Sequence, residues 1–532
     1  MKRRDFIKLS SAAGVAGVVG SRLDAAANPL YAQQAAGFDL HPFIKAHPEA
    51  VFIYLTDIKE KTDKKGIYDA SYKLASEMFV STSGGKGYSN STKIASKPNW
   101  TCAPQDKEDP LASLGIDTDL NFVEGYLSGV KAKGPQQVYI RESACPNQWE
   151  PLGYADMAKR NNFDLKNLTG QDPWDLGDDI IYKVVDGVVF KEVAYMAPIT
   201  ALDAFHVNLA KFKTHGMGVT GAIKNLQGTC ARRFSSFCGG YADIFRQFDK
   251  KYHPYWQPNY LAKVKELQTQ HIEAGYPRWN EKMDKPPFNS GFWMEQWAQR
   301  MCDAYSGIPI KTAGISVIEG IYGRDGDGFQ FGPHNGKAMD YMCNNTIFGI
   351  DPFRLDIIAH WLAGHEPGNF GLFHIGIERG LSDVLDPFDI PIYLWKNGKA
   401  KKIKLDKLTR TPLVTYYNQK AGEDRFHLCN EPFDYKSWKS TGKIAINDEP
   451  SIKAIGTDSE NHIVMDMNVP QKGDVYVDIL NSQGELVWRM HANDLEPGNH
   501  QVVWDGFCQP GMYNAYVKGM GWDAERQMVI YA

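Results

Sequence analysis

Short apolar runs that alternate with segments of helical spacing most limit what this chain can become. Val51 to Thr56 reads Val-Phe-Ile-Tyr-Leu-Thr, a buried strand, and Tyr68 to Phe79 then has the spacing of a helix. The polar Ser81 to Ser91 reads as a loop. Lys93 to Ser96 reads as a strand running into Lys97-Pro98-Asn99, Asp119 to Ala132 as a helix, and Gln137 to Arg141 as a further strand. The rhythm returns at Phe205 to Leu209, at Thr312 to Ile318, where a strand ends on Glu319-Gly320, and in a helix Phe353 to Leu362 entered through Asp351-Pro352. This alternation predicts an α/β fold with a parallel or mixed sheet flanked by helices, since parallel strands need a crossover that a helix supplies. The core domain is expected over residues 38–385.

Beyond it, residues 386–458 read as a linking region with short strands, and the lysine-dense Lys396 to Lys407 as a solvated hairpin. Residues 459–532 change texture. Asp474 to Leu480, a turn at Asn481-Ser482-Gln483-Gly484, Glu485 to Met490 and His500 to Trp504 predict a small antiparallel β-sandwich. Val503-Trp504-Asp505-Gly506 followed by Pro510-Gly511-Met512-Tyr513 resembles the ending of flagellar-hook-cap-type Ig-like modules. That resemblance implies an accessory module, able to dock onto an envelope complex.

The N-terminus carries Lys2-Arg3-Arg4-Asp5-Phe6-Ile7-Lys8, then a weakly apolar run from Leu9 to Gly20 that is too short to span a bilayer comfortably, then Ala25-Ala26-Ala27. Residues 1–27 therefore read as a twin-arginine signal, with a second cleavage point open around Tyr31 to Ala36. The competing reading is a basic helix that stays attached. Export to the periplasm or cell surface is expected, with the twin-arginine translocase as partner. That route carries folded proteins and raises the expectation of a cofactor inserted beforehand. A net charge of −4 with both signs mixed argues against a nucleic-acid partner. The eight cysteines lie far apart, without the Cys-x-x-Cys series of iron–sulfur proteins, so no such cluster is expected. Cys230 and Cys238 are close enough in sequence to form a disulfide in an oxidising compartment.

Three segments can carry chemistry. Leu209 to Gly228 holds Lys211, Lys213, His215 and Lys224 among glycines, together with Thr220 and Asn225. Glycines allow close backbone approach, and ammonium groups with peptide N–H donors favour an anion, so an anion pocket is expected with His215 as acid, base or ligand. The bland alternative is a glycine-rich turn with solvated lysines and a structural histidine. The second segment runs from Glu319 through Arg324-Asp325-Gly326-Asp327 to Gly336, at the carboxyl end of a strand. Its acids suit a hard cation such as Mg²⁺ or Ca²⁺, although the spacing is not that of an EF-hand. In the third, Asp356 and His360 share a helix face four residues apart, where they can bind one metal or hydrogen-bond each other, whereas Asp351 before Pro352 reads as a helix cap.

Lys97-Pro98-Asn99, Glu142, Lys211 to Gly228, Glu319 to Gly336 and Asp351 to Asp356 together resemble the domain-of-unknown-function 362 family over roughly residues 50–385. The resemblance implies an α/β fold with these motifs around one cleft. On that basis His215, Lys213 and Lys224 are the expected catalytic residues. Lys97, Asn99, Lys211, Thr220, Asn225 and Glu142 are expected to bind substrate, and Glu319, Asp327 and Asp356 to hold a divalent metal. Glu319 stands where the family more often has Asp, and the ferredoxin segment of some members is absent. The expected function is an exported enzyme acting on a small anionic organic or carbohydrate-derived substrate, of racemase, lyase or oxidoreductase type. The alternatives are a non-enzymatic ligand-binding protein and an assembly or maturation protein of an envelope complex.

Overall fold

The computed structural model describes residues 36–83, 86–101, 114–143, 149–168, 172–215, 218–231, 234, 254–276, 291–326, 338–413, 432–441, 451–457, 462–504 and 511–530. The twin-arginine segment and Asp327 lie outside the described residues.

A small sheet opens the fold, with β1 (Gly37–Leu40) between β3 (Phe79–Thr82) and β4 (Tyr88–Ser89). The main sheet takes β2 (Val51–Leu55), β5 (Lys93–Pro98), β6 (Val138–Glu142), β7 (Asp164–Asn167), β10 (Ala204–His215), β12 (Gly314–Arg324), β13 (Asp340–Gly349), β14 (Ile392–Lys396) and β15 (Lys399–Ile403). Their spatial order is β15-β14-β2-β13-β12-β10-β5-β6-β7. β10 is parallel to both β5 and β12, β5 to β6, β6 to β7, and β14 to β2. β13 runs antiparallel to both of its neighbours, β12 and β2. Two reversals restore direction, so every strand of this sheet except β13 and β15 points its carboxyl end to the same edge. The α/β fold with a mixed sheet is thus realised, and β14 and β15, within the segment 386–458, extend that sheet. They meet at Asn397-Gly398, both with positive φ (52° and 68°), the conformation a two-residue hairpin turn requires.

β8 (Ile180–Val184) and β9 (Glu192–Met196) form a separate ribbon, and the two-residue β11 (Gly218–Val219) folds back on the end of β10.

Helices cover both faces. Leu120–Lys131 begins at Asp119, whose carboxylate accepts the Asn121 and Phe122 N–H groups, and it buries Phe122, Val123, Tyr126, Leu127 and Val130 at intervals of three and four. Each such side chain contributes roughly 1.5–3 kcal/mol by leaving water. Lys64–Met78 and Tyr154–Asn161 pack on the same side, sharing a core with Ile94, Phe205, Val207 and Ile315. The other side carries Gly221–Leu226, Gly291–Ser306, Pro352–Leu362 and Gly371–Glu378, whose apolar groups join Ala95, Ala210 and Phe212. Asp351 caps Pro352–Leu362 by accepting from the Phe353 and Arg354 N–H groups.

The C-terminal strands form two antiparallel sheets, β16 (Ser451–Thr457), β17 (Ile463–Val469) and β20 (Gly498–Trp504) in one, and β19 (Leu486–Leu495), β18 (Gly473–Asn481), β21 (Gly511–Gly519) and β22 (Trp522–Ile530) in the other. Alternate residues such as Met465, Met467, Val475, Val477, Trp504 and Val517 meet in one core between them. Among the described residues no helix is long and apolar enough to cross a membrane. Cys230 is buried with a free thiol, and burial pushes that thiol up to about 12; Cys238, its expected disulfide partner, lies outside the described residues.

Candidate functional site

Polar side chains collect where β5, β6, β10 and β12 end, the edge at which open α/β sheets present their ligand crevices. Lys97, next to last in β5, donates from Nζ to Glu142 Oε2 at 2.6 Å, to Asn225 Oδ1 at 2.9 Å and to the Pro98 carbonyl at 2.7 Å. Both members of the ion pair are almost fully buried, with side chains 3 % and 4 % exposed. Glu142 also accepts from the backbone N–H groups of Trp100 and Ser143. Burial pushes Glu142 up and Lys97 down, against their mutual attraction. Asn225, on the helix Gly221–Leu226, donates from Nδ2 to the Lys97 carbonyl and to Asn208 Oδ1, and its Oδ1 also accepts from Asn99 Nδ2 at 3.1 Å.

A second buried ion pair lies on the opposite face of the sheet. Lys211 follows the parity of Val207 and Leu209 along β10. Its Nζ bonds Glu319 Oε2 on β12 at 2.5 Å and sits 3.4 Å from the centre of the Tyr322 ring. Glu319 also accepts from the N–H groups of Asp119 and Ile321. Tyr322 donates its hydroxyl to Asp119 Oδ2 at 2.7 Å.

The four residues Ile116 to Asp119 strap the two networks together. The Ile116 carbonyl accepts from Lys213 Nζ. Asp117 accepts from the Thr101 N–H and the Tyr154 hydroxyl. Thr118 Oγ1 accepts from the Asn99 N–H and donates to the Leu209 carbonyl. Burial raises Asp117 to about 6, opposed by Lys213 and by its two hydrogen bonds.

His215 ends β10. Its ring meets Trp297 edge-on at 5.2 Å between centroids, and Lys224 Nζ lies 5.5 Å from the centre of the same indole. Trp297 is fixed by donating Nε1–H to Gln227 Oε1 at 3.1 Å. Burial first, then the charges of Lys224 and Lys213, push the His215 imidazole well below its usual range, so it is neutral at ordinary pH. The Lys224 charge also acts on Lys97. Lys97, Lys213, His215 and Lys224 are therefore one group of basic side chains.

The loop that presents Lys224 and Asn225 is held from Pro352–Leu362. Asp356 accepts from the N–H groups of Ala222 and Ile223, and His360 Nε2 accepts from the Val219 N–H at 3.1 Å. His360 Nδ1 bonds the Asp356 carbonyl oxygen at 2.7 Å, which makes that nitrogen the protonated one. Burial raises Asp356 to about 8, against the two backbone donors, and lowers His360 to about 3. The N–H groups at the start of Gly221–Leu226, expected from the sequence to face an anion, are thus taken by Asp356. Thr220 N–H donates to the Lys213 carbonyl at 2.7 Å, tying the loop back to β10.

Of the residues expected from the sequence, Lys97, Asn99, Glu142 and Asn225 share one hydrogen-bonded network, and His215, Lys213 and Lys224 gather beside it. Lys211 and Glu319 pair on the other face. Glu319 and Asp356 are engaged separately, and among the described residues no group of three or more His, Cys, Asp or Glu side chains is placed to hold a metal ion. Asp117, Thr118, Asp119, Asn208 and Tyr322 belong to the site and were missed. Asp119 alone left a sequence signal, as the first residue of a predicted helix.

No curated protein matches the chain. Residues 94–360, half of its length, match the family described as Domain of unknown function (DUF362), and the matched stretch runs from β5 through the helix bearing Asp356 and His360. With the site motifs lying within that span, the chain belongs to the DUF362 family.

Proposed function

We propose that the carboxyl edge of this sheet binds a small organic anion and that the protein is an enzyme acting on it. One observation carries the reading: burial and the ammonium groups of Lys224 and Lys213 hold His215 in its neutral form, and the Lys224 charge also acts on Lys97. Gathering like charges is costly, and an anionic ligand would offset that cost. A neutral imidazole beside ammonium groups is suited to take a proton from an atom next to the ligand's anionic group, while the lysines stabilise the negative charge that develops. This favours proton-abstraction chemistry of racemase or lyase type. We place the protein outside the cytoplasm, on the strength of Arg3-Arg4 and the apolar run after it.

The test uses full-length protein purified from an exported fraction. Small molecules released on denaturation are identified by mass spectrometry, and inorganic phosphate and citrate are titrated by calorimetry. Binding is expected in the wild type and should weaken at least about tenfold in Lys224→Met. His215→Gln should keep the ligand and lose turnover of it. An empty wild-type protein indifferent to both anions would sink the reading.

A further inference from the structure

The orientation of Asn99 reveals what else the ligand must carry. The Lys97 ammonium can only donate, so the atom of Asn225 that faces it at 2.9 Å must be Oδ1. That choice places Asn225 Nδ2 against the Lys97 carbonyl and Asn208 Oδ1, both acceptors, which agrees with it. Asn225 Oδ1 then also faces Asn99 at 3.1 Å, and the Asn99 atom there must be the donor, Nδ2. Neither amide can be turned over without setting like against like. Asn99 Oδ1 is consequently fixed on the far side of its amide. There it is buried without a hydrogen-bond partner, in a residue 8 % exposed. A second buried atom without a partner, Thr220 Oγ1, belongs to the loop that presents Lys224. An acceptor left unmet at such depth costs about 1–3 kcal/mol, and one inside a network otherwise fully paired marks a place for a donor from outside.

We propose that Asn99 Oδ1 is a specificity determinant that accepts a hydrogen bond from the ligand, so that the ligand bears a hydroxyl or ammonium donor as well as its anionic group. The inference rests on the anion-binding reading above and narrows it: plain carboxylates and inorganic phosphate satisfy the lysines but leave Asn99 unmet. The Thr220 hydroxyl, buried without a partner and preceding the helix that carries Lys224, is able both to donate and to accept, which suits a ligand with more than one hydroxyl.

Calorimetric titration of the full-length protein with hexanoate, gluconate and 6-aminohexanoate, and with inorganic phosphate as a plain anion, tests this. Gluconate tests hydroxyl donors and 6-aminohexanoate an ammonium donor on the same six-carbon carboxylate. At least one of the two should bind about tenfold more tightly than hexanoate, and in Asn99→Ala the ratio of the two affinities should fall to about twofold or less. Equal binding of all three acids by the wild type would overturn the inference and leave the anion reading standing, and it needs no variant to fold. An advantage that survives Asn99→Ala would also overturn it. Binding of none of the four probes would overturn both readings together.

Discussion

The carboxyl group of Asp356 lies directly over the α-carbon of Gly221, where a Cβ would overlap it, and Gly221 itself has a φ of +52°. The position therefore excludes a side chain twice, by backbone conformation and by contact with a group that is holding the loop. Gly221→Ala should lose at least about 2 kcal/mol in chemical denaturation. Gly380→Ala is the control, at φ +69° with nothing near its Cβ, and should lose only the backbone share, about 1–2 kcal/mol. Equal losses would remove Asp356 from the argument.

Removing one member of the Lys97–Glu142 pair leaves the other charged and buried. Lys97→Met should destabilise the protein by about 3–5 kcal/mol. Adding Glu142→Gln should recover part of that loss, with a coupling of at least about 1 kcal/mol in a double-mutant cycle measured by urea unfolding. Additive losses would show that the two side chains do not act on each other.

Tyr322→Phe isolates a hydroxyl. The ring face under Lys211 remains, whereas the bond to Asp119 Oδ2 disappears. A loss of about 1–3 kcal/mol is expected, since Asp119 Oδ2 is buried. A change below about 0.5 kcal/mol would mean that the Asp119 cap alone holds the helix.

His271 sets a pH dependence away from the candidate site. Burial opposes its charge, but hydrogen bonds from its two ring nitrogens to Glu295 and Glu378 prevail and raise it to about 9. Its folded value exceeds its unfolded one, near 6.5, so its contribution is fully present below pH 6.5 and is lost as pH rises toward 9. Thermal midpoints should fall across that window, and His271→Gln should flatten the fall. An unchanged slope would dismiss the histidine as its source.

The local parts of the fold were open to sequence reading, and the long-range parts were not. Strand β2, strand β5 and the helix Leu120–Lys131 announce themselves through apolar spacing, all within a dozen or so residues. Strands β10 and β12 run well past Leu209 and Ile318, where their apolar patterns stop, because Lys211, Lys213 and Glu319 sit inside them. A charge belongs within a strand only when its partner is known, and Lys211 and Glu319 are 108 residues apart. The antiparallel β13 between β12 and β2 is similarly hidden, since nothing in its own sequence names its neighbours. Within the site, the Lys-x-Lys-Thr-His and Thr-Gly-Ala-Ile-Lys-Asn stretches were legible. The strap Ile116 to Asp119 was not, because its work lies in bonds to residues far along the chain.

That strap has a kinetic signature. The Thr118 N–H donates to the Asn99 carbonyl at 2.9 Å, and its neighbours hold β10, β12 and the end of β5. Freeing the Thr118 amide to solvent would require networks on both faces of the sheet to come apart together. Its deuterium uptake should then track global unfolding and rank among the slowest in the chain, so that a connection lying outside any strand or helix would exchange like the centre of a core strand.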